Sequence, residues 1–462
     1  MTLFTLSIPE QFFNQISEYF NDLNGKEGAG YLFCSTSKTT NEEKLIVREY
    51  ILVEQEDIES NSNNFISIKS KSYVSAIIQA DKKKMSVVLI HNHPNGRDKY
   101  SSQDNREEYE FFRTANIRAE GRHHGSLIFS KNQGNYNLIG RVCLSDKNMV
   151  SFKKIRVVGK QLSIHIQNTG KLIVPSWADR QVRAFGSKDI QKIIKKMHIG
   201  VVGVGGTGSA ICEQLIRLGI GTITVVDGQT IEDTNVSRLY GSRLSDIGKP
   251  KVSVIKRLAD DIGFGTTINT IQDFIYSKDA AMALRDCDFI FCCTDDHQGR
   301  SILNRMSIWY LIPVIDMAVT IDADKTGKIK DITGKITILS PGNTCLWCRE
   351  ALSSQKIQAE VMSRCNPTEY KLRRKENYVE ELDEHDPAII MLTTAVASQS
   401  ILEFVHMITG ILGVDRTSTE IRLLFDNTEI RSNSRPGKPD CDCQNSDKWG
   451  RGDEVRFLGL NW

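Results

Sequence analysis

The stretch "MHIGVVGVGGTGSAICEQLIRLGIGTITVVD", residues 197–227, constrains the fold of this chain more than any other. An apolar run, a glycine turn, a helical pattern and a second apolar run follow one another, which is typical of a parallel α/β sheet. Asp227 ends the second run, nineteen residues after the last glycine of the turn, where a carboxylate can bind ribose hydroxyls. Backbone amides at such a turn face an anion at the helix N-terminus. The turn therefore predicts a nucleotide site that contains Gly203, Gly205, Gly206 and Gly208.

The residues that follow indicate which nucleotide is bound. The glycine pattern alone fits an NAD-dependent dehydrogenase equally well. The segment "DGQTIEDTNVSRLYGSRLSDIGKPKV" (227–252) then adds Asn235, Arg238 and Lys251, and cationic donors of this kind suit a triphosphate. The segment "CCTDD" places Asp295 at the end of another strand, where a carboxylate suits Mg²⁺ between phosphate oxygens. Asp296 takes that role if the register shifts by one residue.

Together these segments resemble the adenylating domain of ubiquitin-activating enzymes and of the ThiF, MoeB and HesA type of enzyme, which activates sulfur-carrier proteins. The resemblance implies attack by a C-terminal glycine carboxylate on the α-phosphate of ATP, giving an acyl-adenylate and pyrophosphate. It also implies a homodimer in which Arg180, from "DRQVRAFG", acts as an arginine finger at the partner's ATP. Leu239 departs from the family, which usually has glutamine at this position.

Cys365 lies in the charged stretch 353–386, which corresponds to the crossover loop of that family. The neighbouring cations Arg364, Lys371, Arg373 and Arg374 would lower the pKa of a thiol. We therefore expect Cys365 to capture the acyl group as a thioester and to pass it to a conjugating enzyme, although an ordinary surface cysteine remains the alternative.

Two cysteine pairs predict a second kind of metal site. The pairs are Cys345 with Cys348 and, nearly a hundred residues later, Cys441 with Cys443. Four thiolates make a closed structural zinc site. The shorter second spacing departs from the two Cys-x-x-Cys pairs of the family. The remaining cysteines lie in apolar or strand-like contexts and are expected in the core: Cys34, Cys143, Cys212, Cys287, Cys292 and Cys293.

A separate constellation precedes the nucleotide motif, in "LIHNHPNGRDKYSSQD" (89–104). On a strand, His91 and His93 face the same side. Asp104, at the start of the next helix, adds a third ligand and leaves the fourth position of a tetrahedral zinc open, as in catalytic sites. Glu27, in "KEGAGYLF", is a candidate base. A bare His-x-His is more often a pair of turn residues, so the surrounding residues decide whether His91 and His93 are metal ligands.

That pattern of a Glu, then His-x-His-Pro, then Ser-x-x-Asp resembles the JAMM/MPN-type zinc metalloproteases over residues 1–145. The resemblance implies a deubiquitinase-like peptidase that cuts after the C-terminal glycine of ubiquitin-like proteins. By this resemblance His91, His93 and Asp104 would bind the zinc ion. Glu27 would accept the proton of the attacking water, and Ser101 would donate a hydrogen bond to the developing oxyanion.

Composition excludes few function classes. A formal net charge of +2 predicts no strong attraction to nucleic acid or acidic membranes. The N-terminal residues lack the features of a secretory signal. The apolar stretch 388–413 contains Gln399, Glu403 and His406, which favour a buried helix over a membrane span. We expect a cytoplasmic protein whose eleven cysteines are mostly thiols.

The fold expected is α/β throughout. Residues 1–150 form a JAMM/MPN-like metalloprotease domain, 151–178 a connector, 179–445 a Rossmann-like adenylation domain with a mostly parallel sheet, and 446–462 a tail. Hydrophobic spacing predicts helices over 9–23, over 70–81 and from Asp104 onward.

We interpret the chain as a bifunctional enzyme acting on a ubiquitin-like protein, with ATP, Mg²⁺ and Zn²⁺ as cofactors. Such fusions resemble bacterial ubiquitin-like modification systems, and a role in antiphage defence is a hypothesis from that resemblance. The alternatives are activation of a sulfur-carrier protein for cofactor biosynthesis and a non-catalytic scaffold for a ubiquitin-like protein.

Overall fold

The computed structural model describes residues 2–462 except 120, 133–134, 146–147, 168–172, 325, 327, 376–387, 414–415, 417–418 and 455. The chain divides into two compact units. Unit 1 comprises Met1–Lys171, Trp309–Leu311 and Asn445–Leu460. Unit 2 comprises Leu172–Ile308, Ile312–Gln444 and Asn461–Trp462.

Unit 1 is built on a nine-stranded mixed sheet with the strand order β11-β10-β1-β3-β2-β6-β7-β8-β9. A separate hairpin pairs β4 with β5. The elements in chain order are β1 (Leu3–Pro9), α1 (Glu10–Asp22), β2 (Ala29–Lys38), β3 (Glu42–Leu52), β4 (Ile58–Asn61), β5 (Ile66–Ile68), α2 (Ser70–Lys82), β6 (Ser86–His93), α3 (Ser102–Arg118), β7 (His124–Asn132), β8 (Asn135–Ser145), β9 (Asn148–Ser151), β10 (Lys154–Val158) and β11 (Leu162–Ile166). The helices predicted over 9–23, 70–81 and from Asp104 are confirmed within a few residues.

Alternation along the strands explains why helices cover both faces of this sheet. Leu32 and Cys34 of β2 point into the core with α1, whereas Tyr31 and Phe33 point into the core with α2 and α3. Successive strand residues face opposite sides, so a strand that is apolar at every position needs cover on both. The metal motif at the end of β6 therefore lies on a rigid, fully covered strand.

Residues 154–166 are part of this sheet, so unit 1 extends past the boundary expected at residue 150 and includes most of the expected connector. β10 pairs in parallel with β1, with Ile155 opposite Leu6, and β11 pairs with β10. Ile155 and Val157 are buried in the α1 core. Without β10 the apolar strand β1 would have an open edge, which explains why the segment pairs instead of bridging two domains.

The segment 445–460, which we name the C-terminal strap, also belongs to unit 1 and not to a free tail. Trp449 is 1% exposed and lies against the ring of Phe12, with centroids 6.1 Å apart. The backbone N–H of Asp453 donates to the carbonyl of Thr36 at 2.8 Å, and the hydroxyl of Ser35 donates to the carbonyl of Gly450. The strap therefore packs along β2.

Unit 2 contains an eight-stranded sheet in the order β14-β13-β12-β15-β16-β17-β18-β19. The first five strands in this order, β14, β13, β12, β15 and β16, are parallel to one another. The remaining strands, β17, β18 and β19, continue the sheet with antiparallel pairing. The parallel half confirms the Rossmann-like prediction. The elements are α4 (Asp179–Phe185), α5 (Lys188–Lys196), β12 (His198–Val202), α6 (Gly206–Leu218), β13 (Thr222–Val226), α7 (Asp233–Val236), α8 (Lys251–Ile262), β14 (Thr267–Ile271), α9 (Lys278–Ala283), β15 (Phe289–Cys292), α10 (His297–Trp309), β16 (Val314–Ala323), β17 (Ile329–Leu339), α11 (Ser354–Cys365), α12 (Pro367–Lys375), α13 (Ile390–Thr409), β18 (Glu420–Leu424) and β19 (Glu429–Asn433).

Helix α13 is long and apolar enough to cross a membrane by length and composition, and 61% of its apolar window is buried inside the protein. Glu403 is fully buried in it and forms an ion pair of 2.6 Å with Arg416. The helix contacts α6 and β16. These contacts are those of a core helix in an α/β unit.

Candidate functional site

Unit 1 brings His91, His93 and Asp104 together as a buried cluster whose ligand atoms all lie within 4.8 Å of one another. The two Nε2 atoms are 3.1 Å apart; Oδ1 of Asp104 lies 3.8 Å from Nε2 of His91, and Oδ2 of Asp104 lies 3.5 Å from Nε2 of His93. Tetrahedral zinc ligands at 2.0–2.1 Å are about 3.3 Å from each other. The two imidazoles and the carboxylate are thus close enough together to share a zinc ion.

Local structure holds two of these ligands in place. Ser101 caps α3 and Asp104 is its third residue, so a capping box forms in which Ser101 Oγ accepts from the N–H of Asp104 at 3.0 Å. The Nδ1 of His93 lies 2.7 Å from the carbonyl oxygen of Arg97, which leaves Nε2 for a metal. Burial lowers the pKa of His91 to about 3, and His93 adds to this effect, so the imidazole is neutral. Neutral imidazole is the form that binds metals.

Glu27 lies beside the cluster as a carboxyl group that the protein leaves unsatisfied. Ala29 pairs with His91, and continuing this register by two residues sets Glu27 opposite His93. Its side chain is fully buried, and neither carboxylate oxygen has a hydrogen-bond partner among the described residues. Burial raises the pKa of Glu27 to about 7, against the opposing effect of His93. A carboxyl group with a pKa near neutrality is suited to accept and return a proton.

Asn92, between the two histidines, is a site residue that sequence reasoning missed. Its side-chain oxygen accepts from the N–H of Gly28 at 2.6 Å, and its own N–H donates to the carbonyl of Gly28 at 3.2 Å. Asn92 therefore fixes the backbone next to Glu27. The signal was present, since a residue between two inward-facing strand ligands points to the opposite face and meets the neighbouring strand.

The hydroxyl of Ser101 accepts the capping hydrogen bond, and its own proton has no acceptor within the described ranges. The role of Ser101 as an oxyanion donor stays a prediction.

In unit 2, the four thiols of Cys345, Cys348, Cys441 and Cys443 form a second cluster within 4.8 Å. The Sγ atoms of Cys345 and Cys441 are 3.5 Å apart, and those of Cys348 and Cys443 are 3.7 Å apart. Tetrahedral zinc–sulfur bonds of about 2.3 Å set the sulfurs about 3.8 Å from one another. The spacing fits a structural zinc that crosslinks two distant segments, and the short Cys-x-Cys pair supplies its ligands as well as a Cys-x-x-Cys pair does.

The glycine turn of unit 2 forms one wall of a cleft of about 890 Å³. A Cβ on Gly208 would lie 1.9 Å from the carbonyl oxygen of Gly203, and Gly203 itself has a φ of +85°. The loop can therefore be this tight only with glycine at both positions. Gly205 is the N-cap residue of α6, and no side chain caps this helix N-terminus. Its first amides, including that of Gly206, remain open to an anion.

The carboxylate expected to bind ribose also organises the loop. Asp227 follows β13, and its side chain accepts from the N–H of Val204 at 2.6 Å and from that of Gln229 at 2.8 Å. Lys251 begins α8 and donates to the side-chain oxygen of Gln229 at 2.6 Å. Gln229 thus links the predicted ribose and phosphate residues, a connection that sequence reasoning missed.

The predicted phosphate and magnesium residues line the same cleft: Asn235, Arg238, Lys251 and Asp295. Asn235 also closes a capping box with Glu232. Leu239, the departure from the family, is 3% exposed in a small apolar cluster with Ile231 and Val254. Leucine at this position therefore supports the loop by packing and offers no polar group.

The two neighbouring aspartates differ in their partners. Asp296 accepts hydrogen bonds from Gly299 and Thr294 at the start of α10, and Glu360 accepts from His297 and Gln298 at 2.8 Å each. Asp295 is exposed in the cleft and accepts no hydrogen bond from the part of the chain that the structure describes. The geometry thus favours Asp295 over Asp296 as a metal ligand.

Arg300, a few residues after Asp295, also lines the cleft. It makes a two-point ion pair with the buried Asp316, at 2.9 and 2.7 Å. One of the cysteines expected in the core, Cys293, also lines the cleft.

Two expected catalytic residues lie away from the cleft lining. Arg180, on α4, is exposed and does not line the cleft of its own chain. Cys365 ends α11 and is exposed. Two of the four cations expected around Cys365 have other partners, because Arg364 stacks on Tyr276 at 3.9 Å and Arg373 pairs with Glu369. Residues 376–387, part of the predicted crossover loop 353–386, lie outside the described residues.

The family model described as the ThiF family matches residues 178–445 of this chain. The chain belongs to the ThiF family. Residues 1–177 precede the ThiF match, which therefore covers nearly all of unit 2 and stops where the C-terminal strap begins.

Curated relatives of this ThiF-family chain are distant. It is 29% identical over 134 residues to the adenylyltransferase and sulfurtransferase UBA4 of Meyerozyma guilliermondii, 29% of this chain and 32% of the relative. It is 24% identical over 181 residues to the molybdopterin-synthase adenylyltransferase of Escherichia coli K12, 38% of this chain and 69% of the relative. The chain thus spans only about a third of the UBA4 relative. A crystal structure of E. coli MccB with ATP is 18% identical with a TM-score of 0.45, covering 58% of this chain and 74% of that one.

Proposed function

We propose that unit 2 uses ATP to adenylate the C-terminal carboxylate of a ubiquitin-like or sulfur-carrier protein. One observation supports this above all: an uncapped helix N-terminus, a carboxylate bound to the glycine loop and the cations Arg238 and Lys251 line a single cleft. Anions favour such a helix end, and the cations suit a triphosphate. The ThiF match and the names of the relatives agree with this chemistry.

Each residue of the cleft would have its own role in binding ATP. Asp227 would bind the ribose, and the amides of the glycine loop with Arg238 and Lys251 would hold the phosphates. Asp295 would hold Mg²⁺, which offsets phosphate charge when bound. The carboxylate oxygen of the substrate attacks the α-phosphorus, a new oxygen–phosphorus bond forms, and pyrophosphate leaves. In a homodimer, Arg180 of one protomer would stabilise the charge at its partner's ATP.

Exchange of labelled pyrophosphate into ATP, with a candidate ubiquitin-like protein present, tests this proposal. Lys251→Ala should reduce exchange by at least tenfold, because a cation on the phosphates is lost. Lys256→Ala, an exposed lysine on the same helix, is the matched control and should exchange like the wild type. Absence of exchange in the wild type at saturating substrate would contradict adenylation and favour a scaffold that binds without turnover.

We propose further that unit 1 is a zinc peptidase of the JAMM/MPN type that cuts after the terminal glycine of the same protein. The supporting observation is the close approach of His91, His93 and Asp104 to one another beside the unsatisfied Glu27. Zinc supplies Lewis acidity, which polarises the scissile carbonyl and acidifies water. Glu27 takes the proton of the attacking water and returns it to the leaving amine. Ser101 donates to the developing oxyanion.

Cleavage of a ubiquitin-like protein that carries extra residues beyond its glycine tests the peptidase. Glu27→Gln should lower the rate by a factor of about 10²–10⁴, the usual contribution of a general base. Glu18→Gln, on the exposed side of α1, should not. A wild-type protein that contains zinc in unit 1 and cleaves neither extended precursors nor isopeptide conjugates would contradict the proposal.

The two activities suit one cytoplasmic pathway, in which unit 1 exposes or releases the glycine that unit 2 activates. If conjugation follows, the thiol of Cys365 attacks the acyl carbon, AMP leaves, and the thioester passes to a conjugating enzyme. Sulfur-carrier activation is the second candidate, since one relative is named for both adenylyltransferase and sulfurtransferase activity. A Cys365→Ser variant that still exchanges pyrophosphate but no longer carries the modifier would support conjugation. A role in antiphage defence fits the fusion of the two activities.

A further inference from the structure

Glu108 is a buried carboxylate behind the metal cluster that none of the roles above uses. It lies one turn after Asp104 on α3 and is 2% exposed. Its two oxygens have very different surroundings. Oε2 accepts from Arg141 Nη2 at 2.6 Å and Nε at 3.2 Å and from the hydroxyl of Ser126 at 2.7 Å. Oε1 has no hydrogen-bond partner within the described ranges.

The unpartnered oxygen faces His91. It lies 4.0 Å from Nδ1, whereas the other ring nitrogen, Nε2, faces His93 at 3.1 Å. A displacement of about 1 Å turns this approach into a hydrogen bond of ordinary length. A cavity of about 40 Å³ is lined by both residues, which is room for a bridging water.

The other histidine of the cluster already has such a partner. Nδ1 of His93 lies 2.7 Å from the carbonyl oxygen of Arg97. An acceptor at Nδ1 fixes the proton on that nitrogen, and the lone pair of Nε2 then points at the metal. Nδ1 of His91 has no hydrogen-bond partner in the described part of the chain, and the carboxylate of Glu108 is the acceptor that approaches it.

We propose that Glu108 is the positioning residue of His91, accepting the Nδ1 proton directly or through one water and so directing Nε2 to the zinc. This inference rests on the proposed zinc site of unit 1. Arg141 holds the carboxylate in place from the far side, and Arg141 is itself stacked 3.7 Å over the ring of Tyr100. The chain thereby supports each metal-binding histidine from behind by a different acceptor.

Zinc affinity of the full-length protein tests the proposal through competition with a chromogenic chelator, with the thiolate zinc of unit 2 as the internal reference. Glu108→Ala should weaken binding at the unit 1 site by 10–100-fold, the usual effect of losing such a partner. Glu108→Gln should not recover the affinity, because its single oxygen accepts from Arg141 and Ser126 and its NH2 group then faces Nδ1, where it cannot accept a proton. Recovery of the wild-type affinity by Glu108→Gln would count against the proposal. Ser126→Ala is the matched control, since it removes a hydrogen bond to Oε2 and leaves Oε1, and it should change the affinity less than threefold.

Equal weakening by Glu108→Ala and Ser126→Ala would show a merely structural role and overturn the inference, as would unchanged affinity in Glu108→Ala. If Glu108→Ala does not fold, the double variant with Arg141→Met removes both partners of the buried pair and is measured in its place. If the wild type binds zinc only at the thiolates, the proposed zinc site of unit 1 is wrong. If the wild type binds zinc in unit 1 but Glu108→Ala binds it equally well, only the inference about Glu108 is wrong.

Discussion

Replacement of Glu27 by glutamine should make unit 1 increasingly more stable than the wild type as the pH rises, and it should remove the peptidase activity proposed for this unit. The carboxyl group is fully buried without a hydrogen-bond partner, and burial raises its pKa from 4.5 to about 7. A carboxyl group with a raised folded pKa contributes full stability below pH 4.5 and loses it as the pH rises toward and through 7. A neutral amide at the same position does not titrate.

The two pKa values set the size of the effect. Each pKa unit corresponds to 1.36 kcal/mol, so ionising Glu27 costs the native state about 3 kcal/mol at pH 8 but only about 1 kcal/mol at pH 5. The difference in unfolding free energy between variant and wild type should therefore shift toward the variant by about 2–3 kcal/mol between these pH values. Burial of the amide adds a constant that cancels in this comparison.

Urea denaturation at pH 5 and pH 8 measures the difference, with both proteins freed of metal by a chelator so that the thiolate site contributes equally. Glu18→Gln, which changes an exposed carboxylate, should show no comparable shift. A variant-minus-wild-type difference that is the same at both pH values within about 0.5 kcal/mol would refute the reasoning. So would a shift that favours the wild type at pH 8.

Three further changes test other parts of the molecule. Gly208→Ala brings a Cβ to 1.9 Å from a backbone oxygen, so it should lower the free energy of unfolding by about 1–3 kcal/mol or more. It should also abolish ATP binding measured by calorimetry. In the control Gly205→Ala the added Cβ meets nothing within 4 Å, so its melting temperature should equal that of the wild type. Trp449→Ala should lower the urea unfolding free energy of unit 1 by about 3–5 kcal/mol, and a loss below about 1 kcal/mol would show that the strap is not part of the core. Asp104→Ala should lose one zinc by atomic absorption and Cys345→Ser the other, and loss of both metals in each variant would contradict two separate sites.

Sequence could predict the parts of both sites that depend on short-range geometry. His91 and His93 share a strand face because side chains alternate, and the capping pattern after Ser101 places Asp104 at a helix start. The glycine turn is likewise predictable, because a tight turn between a strand and a helix leaves no space for a Cβ atom. Each of these arguments spans fewer than twenty residues, within which the backbone dictates direction.

Partners from distant elements could not be predicted. The orientation of Asn92 toward Gly28 depends on the pairing of β6 with β2, and the position of Glu108 behind His91 depends on how α3 packs on the sheet. The cations near Cys365 are close in sequence, but the structure turns Arg364 toward Tyr276. Charge along a sequence does not say which way long side chains point once a helix forms.

The boundary at residue 150 was wrong for a related reason. The strands β10 and β11 are short, so their sequence has too few residues to show a clear alternation of apolar and polar positions, and it resembles a connector. Their membership of the sheet follows only from the open edge of β1, which β10 covers and β11 extends.

The strap also bears on the order in which a nascent chain completes its units. Its hydrogen bonds are made to β2, the strand that begins just after Glu27, yet roughly 270 residues separate it from Lys171, where the N-terminal part of unit 1 ends. A ribosome adding about 5–20 residues per second needs roughly 14–55 s for that interval. Unit 1 of a nascent chain thus lacks a supporting segment until unit 2 has been made, so the peptidase activity proposed for unit 1 would begin only in chains that also carry unit 2.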